Sequence, residues 1–489
     1  MKSYLNRIFL FLFLLLSGSI LLVCFTGTFH HIPFLYILAI SVFWLILFFL
    51  LFFLLNNWKD RLSKINDKWI IFFLFIWGNV LFLFGNYIKG EPASDYWYIH
   101  SFLTDWVNGI SPDWSYFARW ENNLPLFYLF APVVKIGYLL GVSDVQYSLA
   151  ILNTIFLTGT GYGIYYLIRK GIPDLKNNIV VRWMALLLYM GFVPVWGSVF
   201  YAYSDSASMF FAVIGMALYF SKEKHSPFLY CISGIGIGVS YLLKPTACFI
   251  VLGLWLVQLV LSAFRTYWKR ILLSFGTALC IIILFKFSAH FMPHQAYLES
   301  YKMPWQYWVC IGMTKDGTYD ENMDSLAVPF YEMDSFTERK EFGNLYIREH
   351  RKNFWNAERI LDKTQVNFAN GLFGLNEYVS KKTWSIFDPS GTYNTYVVAI
   401  FSPYYYAMLL LLWCGGSFLF LSPKSERPGN GLLKAIIADI IGLILFLFFW
   451  ETNNRQLYNQ MPWFAVGAAL SIDMVLPRKT FSCYESLSL

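Results

Sequence analysis

The chain has 489 residues, of which 57% are hydrophobic, 20% aromatic and only 14% charged. A soluble domain carries about 25% charged residues, so a water-soluble globule is excluded, and the recurring apolar runs read as an all-α polytopic membrane protein. The net charge of +7 sits mostly in short loops between apolar runs; that is the positive-inside pattern, not a nucleic-acid signal.

Lys2 and Arg7 precede an apolar run from Phe9 to Phe25. The run is long for a signal-peptide core and no A-x-A-like site follows, so it reads as a retained anchor. Candidate spans follow at 33–56, 69–87, 147–168, 181–200, 207–220, 227–243, 247–264, 271–291, 395–421, 432–450 and 461–477, giving about twelve with the first at 8–26. Lys59, Arg61, Lys64 and Lys68 mark a cytoplasmic loop, as do Arg169 with Lys170, Lys176 and Arg182. Lys222 with Lys224, Arg265 with Lys269 and Arg270, Lys424 with Arg427, and Arg478 with Lys479 mark the others, so both termini are expected in the cytoplasm. Leu124–Leu140 is apolar but holds Pro125, Pro132 and Lys135, and counting it as a span inverts the loops after it. It reads as a re-entrant or interfacial helix on the outer face, beside a cavity that covers its irregular backbone.

The expected organisation is two extra N-terminal spans with their loop (1–68), a transmembrane core (69–291) whose first outer loop is 88–146, an outer-face loop domain (292–394), and C-terminal spans with a tail (395–489). The 292–394 segment is too long for an ordinary connection. Within it Ser335 to Ala369 reads as helical, with Ser335 and Glu338 placed as a capping box. The seven cysteines are scattered with no C-x-x-C, so neither a zinc site nor a disulfide framework is expected. H-E-x-x-H, P-loop and G-x-S-x-G motifs are absent from the sequence.

Chemistry-bearing residues collect on the expected outer face. Asp95 follows the third span and is trailed by Tyr96, Trp97 and Tyr98. It is either a solvated loop carboxylate or a partly shielded one that gains basicity and works as a general base among rings that hold a sugar. Glu91 is the nearby competitor. Asp205, in Tyr203-Ser204-Asp205-Ser206, caps the helix that follows or serves a site at the membrane edge; the two roles are compatible. Lys244 stands before Pro245 between two apolar runs, snorkelling to headgroups or binding phosphate. Arg455 pairs with Glu451 or holds a ligand, and Arg119 precedes the re-entrant helix with a fork suited to phosphate.

These stretches, in this order, resemble the GT-C class of integral-membrane glycosyltransferases. More narrowly they resemble bacterial family-39-type enzymes related to protein O-mannosyltransferases and lipid A aminoarabinose transferases. The shared pattern is Asp95, then Arg119 with Leu124-Pro125-Leu126, then Tyr203-Ser204-Asp205, Lys244-Pro245, and Arg455 with Tyr458 and Pro462. Trp308, Gly312, Gly317, Tyr319 and Asp324 are similar to a series in the long loop of a Gram-positive subset. The likeness spans about residues 69–475; the first two spans precede its usual start, and Asp95 lacks the acidic neighbour common in protein O-mannosyltransferases.

The resemblance implies a GT-C-like bundle and an inverting sugar transfer on the outer face of the cell membrane. The donor would be a polyprenyl-phosphate sugar, and the acceptor a hydroxyl of a cell-surface glycan or lipid rather than a protein. It implies Asp95 as the base, Asp205 as an orienting carboxylate, and Arg455, Lys244 and Arg119 on the phosphate. Glu91, Tyr96, Trp97, Tyr203 and Tyr458 would contact substrate, and neither metal nor other cofactor is expected. Two other readings share the polytopic pattern: a polysaccharide polymerase or O-antigen-type ligase, and a lipid-linked oligosaccharide flippase or transporter. A flippase needs polar groups inside many spans, whereas here the spans are nearly charge-free, Lys286 and Asp439 excepted.

Overall fold

The computed structural model describes residues 2–26, 32–221, 226–261, 264–314, 316–318, 324–380, 396–422 and 429–476. Tyr319 and the loop cations Lys222, Lys224, Lys424, Arg427, Arg478 and Lys479 lie outside the described residues. Helices α1 (Lys2–Thr26), α2 (Phe34–Asn57) and α3 (Asp67–Ile88) open the chain. Helix α4 (Ser94–Val107) and a short helix Ser115–Arg119 form the first polar connection. Then come α5 (Leu124–Leu139), α6 (Val145–Gly171), α7 (Asn178–Met190), α8 (Ser204–Phe220), α9 (Pro227–Leu243), α10 (Phe249–Leu256) and α11 (Phe264–Ala289). The long segment after α11 holds α12 (Trp305–Gly312), α13 (Asp324–Glu332), α14 (Phe336–His350) and α15 (Ala357–Thr364). Helices α16 (Tyr396–Leu421), α17 (Asn430–Phe449) and α18 (Met461–Val475) complete it. Among the described residues the β structure is a single antiparallel bridge, Lys89 with Val379.

Six helices have the length and apolarity to cross a membrane: α1, α2, α3, α11, α16 and α17. The molecule is an all-α, multi-pass membrane protein. The other expected spans are helical, but α7, α8 and α9 fall short of the roughly 20 residues that a straight crossing needs. Helix α6 reaches 27 residues but buries Gln146, Ser148, Asn153 and Thr160. The expected span 181–200 is two pieces: α7 ends at Met190, Phe192 is extended before a short helix Val193–Gly197, and Pro194 cannot continue the α7 ladder. Helix α5 is 16 residues long, with Pro125 in its first turn and Pro132 inside, and lies against α4 and α6.

Burial follows helical period. Helix α2 buries only Ile37, Ser41, Phe48, Phe52 and Leu55, one narrow stripe. Leu50, Phe53 and Leu54 on its other faces are exposed, as expected of a lipid-facing helix. Helices α9 and α11 touch through Gly234 and Gly238, where an added Cβ would stand 2.5 Å from the Ser274 carbonyl and 2.9 Å from that of Ala278. Small residues at this spacing allow the close backbone approach that drives helix association in lipid.

The segment after α11 is a set of short helices, not one. The helical run expected from Ser335 to Ala369 breaks at Asn356, whose side chain accepts from Arg359 N at 3.1 Å and starts α15. At the front of α14 the Ser335 hydroxyl accepts from Glu338 N at 3.2 Å, so the expected cap is present. Helix α15 carries Arg359 and Lys363 to the carbonyl ends of two other helices. Both donate to the Gly312 carbonyl that ends α12, and Lys363 also reaches the Trp450 carbonyl just past α17. Cations at helix C-termini offset the macrodipole. Gly312 is where α12 meets α17: a Cβ there would stand 2.5 Å from the carbonyl oxygens of Phe449 and Trp450. Gly312→Ala is therefore expected to cost about 1–3 kcal/mol through forced backbone shifts, read as a lower midpoint in a thermal melt of the detergent-solubilised protein.

Candidate active site

Breaks in five helical regions converge. Asp95 is the second residue of α4, and the preceding Ser94 has φ of 52°, the left-handed region that non-glycine residues rarely adopt. Strain of this kind concentrates at functional sites. Asp205 stands second in α8; the N-cap of that helix is Tyr203, which makes no side-chain cap bond, so Asp205 is not the cap. Lys244 ends α9, where Pro245 removes the next helical donor. Arg455 lies in a 3-10 turn, Asn454–Gln460, whose start is fixed by the Asn453 side chain accepting from Arg455 N at 2.9 Å. Tyr116 and Asn123 come from the connection between α4 and α5.

Four charges alternate in sign through these breaks. Lys244 donates to Asp205 Oδ1. Asp205 Oδ2 faces Arg455 Nε at 3.6 Å, and Arg455 Nη2 stands 3.7 Å from Asp95 Oδ2. Lys244 also reaches the Arg455 carbonyl at 3.4 Å. The Arg455 guanidinium lies 4.9 Å from the centre of the Tyr203 ring, and its Nη1 donates to the Tyr201 hydroxyl at 3.2 Å. The Tyr116 hydroxyl donates to Asp95 Oδ1 at 3.1 Å and accepts from Asn123 Nδ2 at 2.7 Å. The Tyr203 hydroxyl lies 3.1 Å from Asp95 Oδ2 and 2.7 Å from Asn123 Oδ1. Burial, with the Asp95 charge second, pushes both phenols well above their usual range, so they stay protonated and serve as donors.

A cavity of about 710 Å³ opens over this network. Asp95, Arg455, Arg119 and Glu451 reach it, together with Asn123 and Asn453. Rings form its wall: Tyr98 stacks on Tyr116 at 4.5 Å, Trp120 lies 5.3 Å from Trp308, and Tyr307 and Tyr331 complete the side supplied by the long segment. Arg119 sits over Tyr331 at 4.7 Å and Tyr301 at 5.6 Å, and its Nε has no hydrogen-bond partner among the described residues. Burial pushes the Glu451 carboxyl up to about 7, with Asp95 adding to the rise and Arg455 opposing it.

The sequence-derived residues thus divide. Asp95, Trp97, Arg119 and Arg455 line the cavity. Asp205 and Tyr203 lie buried outside its lining, and Lys244, with its side chain 11% exposed, is occupied by Asp205 rather than open to a phosphate. Glu91 is exposed and faces outside the cavity because it precedes the turn that opens α4. Tyr96 is buried against Tyr201 and His100, on the opposite side of α4 from the cavity. Tyr458 is buried with its hydroxyl 2.5 Å from that of Ser198, away from the cavity. Sequence reading missed Tyr116, Asn123, Glu451 as a cavity group, Tyr307 and Tyr331. Only Glu451 had a local signal, its place just beyond an apolar run beside Arg455.

Fold and site together define a class: an all-α, multi-pass membrane protein with a polar, aromatic-walled cavity where a carboxylate meets a guanidinium at broken helix ends. No family model matches the sequence, and no curated protein matches it. A solved structure similar to this chain is the Archaeoglobus fulgidus oligosaccharyltransferase tethered to an acceptor peptide containing the NVT sequon. The two are 13% identical with a TM-score of 0.44, over 84% of this chain and 50% of that one. The chain spans about half the length of that structure.

Proposed function

We propose that the protein is a membrane glycosyltransferase of GT-C type that moves a sugar from a polyprenyl-phosphate donor to a hydroxyl of a cell-surface glycan or lipid. The observation that carries this reading is the pair Asp95 and Arg455, 3.7 Å apart in one cavity walled by aromatic rings. Inverting transfer needs a base at the acceptor oxygen and positive charge at the leaving phosphate, on opposite sides of the anomeric carbon, so the Asp95–Arg455 contact opens as the donor enters while Arg455 keeps Asp205. Asp95 takes the acceptor proton as the acceptor oxygen bonds to C1. The bond from C1 to the phosphate oxygen breaks with its electron pair on the phosphate, and Arg455 with Arg119 stabilises the charge that develops there. Trp97, Tyr98 and Trp308 offer faces for sugar rings. Lys244 and Asp205 act one step back, holding Arg455 in place. The site faces the outer side, and Tyr307, Trp308 and Tyr331 of the long segment after α11 close the cavity.

The test is transfer by the full chain in lipid nanodiscs, using undecaprenyl-phosphate-linked hexoses as donors and short glycans or glycolipids as acceptors. Arg455→Ala is expected to weaken donor use by about 100-fold or more in kcat/KM. Unchanged donor kinetics in a folded Arg455→Ala protein would remove the guanidinium from the phosphate site and with it this reading.

A further inference from the structure

We infer that Glu451 is the acid partner of Asp95: as a neutral carboxyl beside the donor phosphate held by Arg455, it gives its proton to the departing phosphate oxygen. This rests on the donor reading above and adds a second proton-transferring residue to it.

Three observations carry it. The first is placement. Glu451 lines the same cavity as Asp95 and Arg455, on the segment that carries Arg455. That segment is fixed by the Trp450 carbonyl accepting from Lys363, by Thr452 N donating to the Gly317 carbonyl at 2.6 Å, and by Asn453 N donating to Asn367 Oδ1 at 3.1 Å. The second is the contrast in partners. Asp95 has a tyrosine hydroxyl 3.1 Å from each oxygen, whereas among the described residues Glu451 accepts one long bond, from Gln456 Nε2 at 3.5 Å. The third is the charge around it. Burial raises the Glu451 carboxyl to about 7, Asp95 pushes the same way, and Arg455, Lys244 and the Gln456 bond oppose. Lys363 of α15 also faces it and is itself pulled down to about 7 by burial. Two carboxyl groups in one site with unlike surroundings are the mark of an acid and a base. A charged Glu451 would also repel a phosphate held next to it.

The step balances. The acceptor oxygen bonds to C1 and its proton goes to Asp95. The C1–O bond to phosphate breaks, the electron pair stays on the phosphate oxygen, and that oxygen receives the Glu451 proton. Water then reprotonates Glu451 and removes the proton from Asp95.

A lipid-linked sugar phosphate is a phosphodiester with one fixed negative charge, so any pH dependence of its binding near neutrality belongs to the protein. The experiment measures binding of an undecaprenyl-phosphate-linked hexose to the full chain in nanodiscs between about pH 6 and pH 8.5, with turnover alongside. Wild-type affinity is expected to fall about tenfold as pH rises through 7, because the ionised Glu451 then opposes the phosphate. Glu451→Gln is expected to bind at all these pH values as the wild type does at pH 6, and to turn over more slowly because an amide has no proton to give. Lys363→Arg keeps donors for the Gly312 and Trp450 carbonyls and removes the other group that titrates near 7, and it should keep the fall. If Glu451→Gln keeps the fall, or Lys363→Arg abolishes it, the inference is overturned while the donor reading stands. If the wild type binds no donor, or Arg455→Ala binds it equally well, the donor reading fails and the inference goes with it.

Discussion

Asp95→Asn should abolish sugar transfer to within about 1 part in 100 to 10,000 of wild type while leaving the fold in place. The two halves of that expectation come from different magnitudes. The Asp95 side chain is 40% exposed, so its pairing with Arg455 is screened and worth about 0–1 kcal/mol. Asparagine has the same shape and can still accept from one of the two tyrosines. Arg455 keeps Asp205 at 3.6 Å. Loss of a general base costs far more, about 3–5 kcal/mol in the barrier. Thermal unfolding should therefore change little while turnover collapses. Glu91→Gln is the contrast, because Glu91 is exposed and lies outside the cavity; it should transfer at the wild-type rate. A folded Asp95→Asn protein that still transfers, or a Glu91→Gln protein that fails equally, would move the base away from Asp95.

The helices were legible in the sequence because the apolar runs are nearly pure. The third span, expected at 69–87, is the helix Asp67–Ile88, with the Asn66 side chain accepting from Trp69 N to set its start. Breaks were legible wherever proline stood next to charge, as at Lys244-Pro245. What the sequence could not convey is rotation about a helix axis. Tyr96 and Trp97 are neighbours, but successive residues of a helix point about 100° apart. One turns into the core against Tyr201 and the other into the cavity. Tyr458 turns inward to Ser198, although Arg455 three residues earlier reaches the cavity. Nor could it convey contacts between distant segments: Tyr116 and Asn123 meet Asp95 and Tyr203 only after α4, α5 and α8 are packed. The pairing of Lys244 with Asp205 belongs here too. Each was visible alone as a charge at a helix break, and only the fold shows that they neutralise each other.

That pairing sets the largest expected effect on stability. Lys244 and Asp205 have side chains only 11% and 6% exposed. Lys244→Met removes the cation and leaves a buried carboxylate with Arg455 as a charged neighbour at 3.6 Å. Breaking a buried pair by deleting one partner costs about 3–5 kcal/mol, so the detergent-solubilised variant should melt several degrees lower. The double variant Lys244→Met with Asp205→Asn removes the orphaned charge as well, and most of the lost stability should return because a neutral pair of similar volume avoids the larger penalty of desolvating a charge. Transfer should not return. Asp205 Oδ2 and the Lys244 contact to the Arg455 carbonyl help hold the arginine between two carboxylates, and in the double variant Asp95 is the one of those two carboxylates that still pulls on it. A guanidinium drawn fully onto the base occupies the oxygen that must accept the acceptor proton. The double variant should therefore be stable and slow, with the loss in kcat larger than that in KM. A single variant that melts like the wild type would show that the pair does not bear on the fold. A double variant that regains both stability and transfer would show that it does not position Arg455.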